Sequence, residues 1–122
     1  MAKDDVRVVV VDDEPDAAEA LQTLLELDGY NVKVAHDARE AFATIAAHTP
    51  HCVLLDLGLP EMDGCELARR LRERYGPELT LLAVTGWARQ EDREQAELAG
   101  VDYVLLKPVQ PEMLSRFFPR VE

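Results

Sequence analysis

Two cysteines in 122 residues, Cys52 and Cys65, are too few for a disulfide framework. Cys52 falls in an apolar run and reads as a small buried hydrophobe, and Cys65 follows Asp63-Gly64 at an expected helix start; both are expected as reduced thiols in a reducing compartment. No apolar run approaches the length of a membrane span. The opening Met1-Ala2-Lys3-Asp4-Asp5 lacks the apolar core of a signal peptide, which points to a cytoplasmic protein. Basic residues are scarce: 13 Lys+Arg stand against 24 Asp+Glu, for a net charge of −11. Such a surface repels a phosphate backbone, so neither nucleic acid nor membrane is expected as a partner. Repeats, low-complexity tracts and linkers are also missing, which leaves one domain over residues 1–122.

What is present is an alternation. Val6 to Val11 is almost pure valine, and that length and β-branching suggest a strand buried on both faces. Ala17, Leu21, Leu24 and Leu25 then recur at helical spacing before Gly29. Four more strands are expected over Tyr30 to Ala35, Cys52 to Leu57, Leu79 to Val84 and Val101 to Leu106. Helical patterns follow each: Ala38, Ala41, Phe42 and Ile45; Leu67 and Leu71 up to Gly76-Pro77; a polar stretch from Arg89 to Ala99; and Met113, Leu114, Phe117 and Phe118 behind Pro111. Five β/α units in this order predict an α/β protein: a (βα)5 doubly wound, open parallel sheet with helices on both faces.

In such sheets ligands sit beyond the carboxyl ends of the strands. Strand one ends in Asp12-Asp13-Glu14, strand three in Asp56, strand four in Thr85-Gly86 and strand five in Lys107-Pro108. Strand two ends less distinctively in Ala35-His36-Asp37. Clustered carboxylates repel one another, and a hard divalent cation removes that cost; Mg²⁺ accepts a few carboxylates and keeps waters, which suits a shallow site. Asp12 and Asp13 equally suit the cap of the first helix. Lys107 could be a solvated strand end or could face the acids, where an ammonium also holds a phosphoryl oxygen. Thr85 could be a turn residue or a donor to that same group. His36, His48 and His51 lie near element ends and read as surface or loop residues.

The whole chain resembles the receiver domains of bacterial two-component signalling. Val10-Val11-Asp12-Asp13-Glu14, Leu54-Leu55-Asp56-Leu57-Gly58-Leu59-Pro60 with Met62-Asp63-Gly64, Val84-Thr85-Gly86 and Lys107-Pro108 carry the resemblance. The stretches around Gly-Val-Asp and Lys-Pro-Val are most similar to receivers of hybrid sensor kinases. The resemblance implies the flavodoxin-like strand order 2-1-3-4-5, with Asp56 as phosphoacceptor. It implies Mg²⁺, with Mn²⁺ an alternative, on Asp12, Asp13, Asp56 and the Gly58 backbone carbonyl. Lys107, Thr85 and Gly86 would bind the phosphoryl group, and the peptide before Pro108 would be cis. The implied partners are a histidine kinase or phosphotransfer protein and a downstream protein target, with the chain a monomer or weak dimer. The expected activity is a switch with self-phosphotransfer and autodephosphorylation, not turnover of a substrate.

Two positions depart from the family. Receivers often carry an aromatic three residues before the lysine; here that place is Val104 and the aromatic is Tyr103, which alternation turns to the other face. Trp87 puts an indole next to Thr85-Gly86, where it could gate water or a partner or pack over the fourth helix. The output face is expected on helix 4, strand 5 and helix 5, among Arg89, Gln90, Arg93, Tyr103, Gln110 and Phe118. Two other readings use the same parts. A pseudo-receiver would bind without phosphorylation, although it would typically lack Asp56, Lys107 or an acid. A phosphatase of the haloacid dehalogenase type would want a second Asp where Gly58 stands.

Overall fold

A computed structural model describes residues 2–58, 63–86 and 89–119. Five strands form one parallel sheet: β1 (Arg7–Val11), β2 (Asn31–Ala35), β3 (Cys52–Asp56), β4 (Thr80–Thr85) and β5 (Tyr103–Leu106), in the order β2-β1-β3-β4-β5. The helices are α1 (Pro15–Leu27), α2 (Ala38–His48), α3 (Gly64–Tyr75), α4 (Gln90–Leu98) and α5 (Pro111–Leu114). This is the doubly wound fold expected from the β/α alternation, with the flavodoxin-like strand order. Among the described residues, no helix is long and apolar enough to cross a membrane.

The three inner strands β1, β3 and β4 are apolar at consecutive positions because both faces of the sheet are covered there. Val9, Val11, Val53, Leu55, Leu81 and Ala83 point to one core, completed by apolar residues of α2, α3 and α4 such as Ile45, Leu67 and Ala96. Their alternates Val8, Val10, Leu54, Leu82 and Val84 point to a second core with Ala18 and Leu25 of α1 and Leu114 of α5. Asp37 and Asp63 cap α2 and α3 by accepting the N–H groups of Glu40 (2.7 Å) and Glu66 (2.9 Å).

Two expectations fail at the last β/α unit. The final helix stops after one turn, passing into a 3₁₀ turn over Ser115–Phe117, and Phe118 is extended. Phe118 precedes Pro119, whose ring disfavours a helical conformation in the residue before it. Phe118 is consequently buried edge-on against Tyr30, with ring centroids 4.9 Å apart, and does not belong to an exposed output face. The fifth strand begins at Tyr103, two residues later than expected. The Asp102 carboxylate is committed elsewhere: it accepts the Leu81 N–H (2.8 Å) and a bond from Arg72 (3.0 Å).

Arg72 itself was not singled out by sequence pattern, yet it ties three segments together. Its guanidinium donates to the carbonyls of Gly76 (2.7 Å), Leu79 (2.6 Å) and Gly100 (3.1 and 2.7 Å) as well as to Asp102, which engages all five donors. Gly100 has φ +103°, and a Cβ there would stand 3.0 Å from the Arg72 Cγ. Arg72→Met leaves these acceptors unpaired in a largely buried site and is expected to cost about 2–4 kcal/mol. Arg70→Met removes only an exposed pair with Glu66 and is expected to cost about 0.5 kcal/mol or less. Urea denaturation of both variants checks this, and equal losses would refute the role given to Arg72.

Candidate functional site

Each strand end delivers its residue to the same sheet edge. Asp12, directly after β1, is 7% exposed and is the buried charged side chain among the described residues. Its two oxygens have different partners. Oδ1 accepts the Glu14 N–H (3.0 Å) and shapes the turn into α1, whereas Oδ2 accepts from the Lys107 ammonium (3.1 Å). The helix-start and ligand-site readings of Asp12 are therefore compatible. Asp13 beside it is exposed.

Asp56 is the last residue of β3. Its Oδ1 accepts the Gly58 N–H (2.9 Å) and its Oδ2 accepts from Lys107 (3.2 Å). Gly64 brings the start of α3 close beneath this strand end: a Cβ on it would lie 2.6 Å from Leu57 Cα and 2.7 Å from the Asp56 carbonyl oxygen. Backbone atoms cannot yield cheaply at such a distance, so only glycine fits.

Lys107 follows β5, and its peptide to Pro108 is cis. Its N–H donates to the carbonyl of Thr85 (2.8 Å), which fixes the lysine backbone against the end of β4. Thr85 is half-buried and Gly86 after it is exposed. Burial by itself lowers the Lys107 pKa, but the hydrogen bonds and charges of Asp12 and Asp56 outweigh it and hold the ammonium above its ordinary value of 10.5.

Asp12, Asp13 and Asp56 can each place one carboxylate oxygen so that all three lie within 4.8 Å of one another. Three hard oxygen donors at that spacing, at an open sheet edge, fit Mg²⁺ or Mn²⁺ better than a softer ion. An apolar cavity of about 490 Å³ opens beside them between α1 and the chain from Lys107 to Val109, floored by Val10, Leu54 and Val84.

Of the two departures, Tyr103 is exposed on the edge strand and stacks on Phe117, with centroids 4.5 Å apart. Val104 is half-buried against the core formed with α2, α3 and α4. Trp87 lies outside the described residues, as do Leu59, Pro60 and Met62. His36, expected as a surface or loop residue, is instead half-buried beside the site, where its ring meets the Asp12 carbonyl oxygen at 3.3 Å. Its signal was position alone, the first residue past β2.

Residues 8–117 match the family described as the response regulator receiver domain. An uncharacterized 14.6 kDa protein of Leptolyngbya boryana is 42% identical over 89% of this chain and 84% of its own. Response regulator MprA of Mycolicibacterium vanbaalenii is 39% identical over 91% of this chain, which spans about half (48%) of that relative's length. A CheY-like receiver domain protein of Methanospirillum hungatei superposes with TM-score 0.84 at 31% identity, covering 92% of this chain and 89% of that one. A Burkholderia pseudomallei response regulator, solved with a phosphorylated aspartic acid, calcium and citrate, superposes with TM-score 0.84 at 31% identity, covering 90% and 64%.

Replacing Lys107 by Met leaves Asp12 and Asp56 facing each other without the cation. The expected loss near pH 7.5 is about 1–2 kcal/mol, kept small because the lysine side chain is 35% exposed. A lysine pKa raised by folding stabilises fully below the unfolded value and ceases to as pH climbs through the folded one. The gap between wild type and Lys107→Met should therefore close as pH passes above 10.5. Denaturation curves for both proteins across that range test it, and a gap independent of pH would contradict the pairing.

Proposed function

The chain belongs to the response regulator receiver family, and we propose that it acts as a phosphorylation switch whose acceptor is Asp56. The observation that carries this reading is the Lys107 ammonium held between Asp12 and Asp56, at 3.1 and 3.2 Å, beside a third acid. Structural acids at a strand end do not require a buried-edge cation shared between two strands. The family works as a signalling switch rather than as a catalyst of substrate turnover.

In the proposed reaction an Asp56 carboxylate oxygen forms a bond to phosphorus as the bond to the donor's leaving group breaks. Asp56 attacks from a position already fixed by hydrogen bonds from Gly58 and Lys107. Lys107 moves its hydrogen bond from the Asp56 oxygen to a phosphoryl oxygen and remains tied to Asp12 throughout. Thr85, with Gly86 beyond it, offers a hydroxyl and a backbone N–H to another phosphoryl oxygen. Catalysis is thus positioning and charge neutralisation. Asp12, Asp13, Asp56 and the Gly58 carbonyl would hold Mg²⁺ or Mn²⁺, which supplies positive charge against the transferred group. Water attack on phosphorus breaks the bond to the Asp56 oxygen, releasing inorganic phosphate and returning the Asp56 carboxylate. The phosphorylated aspartic acid of the Burkholderia regulator supports this reading.

The donor is a histidine kinase or a phosphotransfer protein, and output runs through protein contacts in the cytoplasm. The net charge of −11 argues against this segment touching nucleic acid itself.

Incubation with Mg²⁺ and a small phosphodonor, followed at once by intact mass, is expected to show one phosphoryl adduct. It should vanish in Asp56→Asn and without metal. Mg²⁺ alone should raise the melting temperature, since only the folded chain assembles the acids. An adduct that persists in Asp56→Asn would move the acceptor elsewhere. If neither phosphodonor nor a beryllofluoride mimic alters the protein, the domain binds without being phosphorylated.

A further inference from the structure

The geometry assigns His36 as a positioning residue for the two neighbouring acids of the metal site, acting through the peptide that joins them; this rests on the reading of Asp12 and Asp13 as metal ligands. The parallel ladder between β1 and β2 pairs Val11 with Ala35, and continues one bond further as the Asp12 N–H donates to the Ala35 carbonyl (3.0 Å). The next rung of such a ladder would give the Asp12 carbonyl a main-chain N–H from the residue after His36. That residue, Asp37, instead turns the chain into α2, and its carboxylate caps that helix by accepting from Glu40 (2.7 Å). The His36 imidazole takes the vacated place, with Nδ1 3.3 Å from the Asp12 carbonyl oxygen.

A carbonyl oxygen only accepts, so Nδ1 carries the hydrogen in this contact. The backbone of His36 is itself fixed, because its N–H donates to a Glu40 carboxylate oxygen (3.2 Å) and its ring is half-buried. The Asp12 carbonyl belongs to the peptide plane linking Asp12 to Asp13. Holding that plane sets the direction in which the Asp13 side chain leaves the backbone, relative to an Asp12 already fixed by Glu14 and Lys107. Asp13 is exposed, so its backbone orientation sets the starting point from which its side-chain rotamers reach the site. Groups that orient metal ligands without touching the ion commonly affect affinity by tenfold or more.

The test is calorimetric titration of Mg²⁺, repeated with Mn²⁺, into wild type, His36→Ala and His36→Asn, with a melting curve for each protein before metal is added. His36→Ala is expected to weaken Mg²⁺ binding roughly tenfold, the low end for removing such a partner, while its melting temperature without metal stays near that of wild type. Asparagine can present a side-chain N–H close to the Nδ1 position and is expected to recover most of the affinity. Wild-type affinity in His36→Ala would overturn the assignment. So would equal weakening in both variants with a matching fall in melting temperature, which is the signature of a merely structural residue. A folded wild type that takes up no Mg²⁺ would instead remove the metal site itself, and is recognised from the wild-type titration alone.

Discussion

Carboxylates from two strand ends can share one sheet edge here because an ammonium stands between them. Lys107 reaches Asp12 and Asp56 together, and without it the edge would hold like charges in partial burial. The strand order makes this demanding. β4 lies between β5 and β3, and β1 lies one strand further still. Neighbouring strands are about 4.8 Å apart, so the lysine must bridge roughly 10 Å or more of sheet. A long unbranched stem does this, starting from a backbone pinned to the Thr85 carbonyl. The acid cluster is thus correct only when β1, β3, β4 and β5 are all in place, which couples the site to the integrity of the whole sheet.

A second cation performs the matching task at the opposite end of β4 and β5. Arg72 gathers the carbonyls that precede β4 and the loop that precedes β5, and shares Asp102 with the Leu81 N–H. The edge strand β5 has four residues, each at least partly exposed, and buries too little apolar surface to hold itself firmly. Two long cations fix it instead: Arg72 where it begins and Lys107 where it leaves. An Arg suits the first position because planar donors can satisfy several fixed carbonyls, and a Lys suits the second because a compact ammonium with rotatable donors can be shared by two carboxylates.

Much of this is legible in the amino-acid sequence. The nearly pure valine of Val6 to Val11 and the apolar Cys52 to Leu55 marked strands covered on both faces, and the acids and lysine at the strand ends marked the edge where a ligand site was expected. The end of the chain misled the reading for a local reason. Phe117 and Phe118 continue a helical apolar pattern, but the helix has already passed into a 3₁₀ turn at Ser115, and Pro119 holds Phe118 out of helical conformation. Arg72 was hidden because it lies among other charged residues of α3, and its distinction is only what the loops bring to it. His36 was hidden because a histidine one residue past a strand is ordinary until a ladder runs out beside it.

Composition and order by themselves determined the class of the fold and which acids, threonine and lysine stand at the carboxyl ends of the strands. Those follow from local rules: a strand buried on both faces must be apolar throughout, and a charged residue at its end must have a use or reach solvent. Tertiary structure alone decided how the charges are shared. That the Asp12 oxygen left over from the turn into α1 meets Lys107, that the Lys107 ammonium is common to two strands, and that the imidazole just past β2 meets the Asp12 carbonyl all depend on contacts between residues far apart in the chain. No local propensity encodes them, because each depends on distances set by the packing of the sheet.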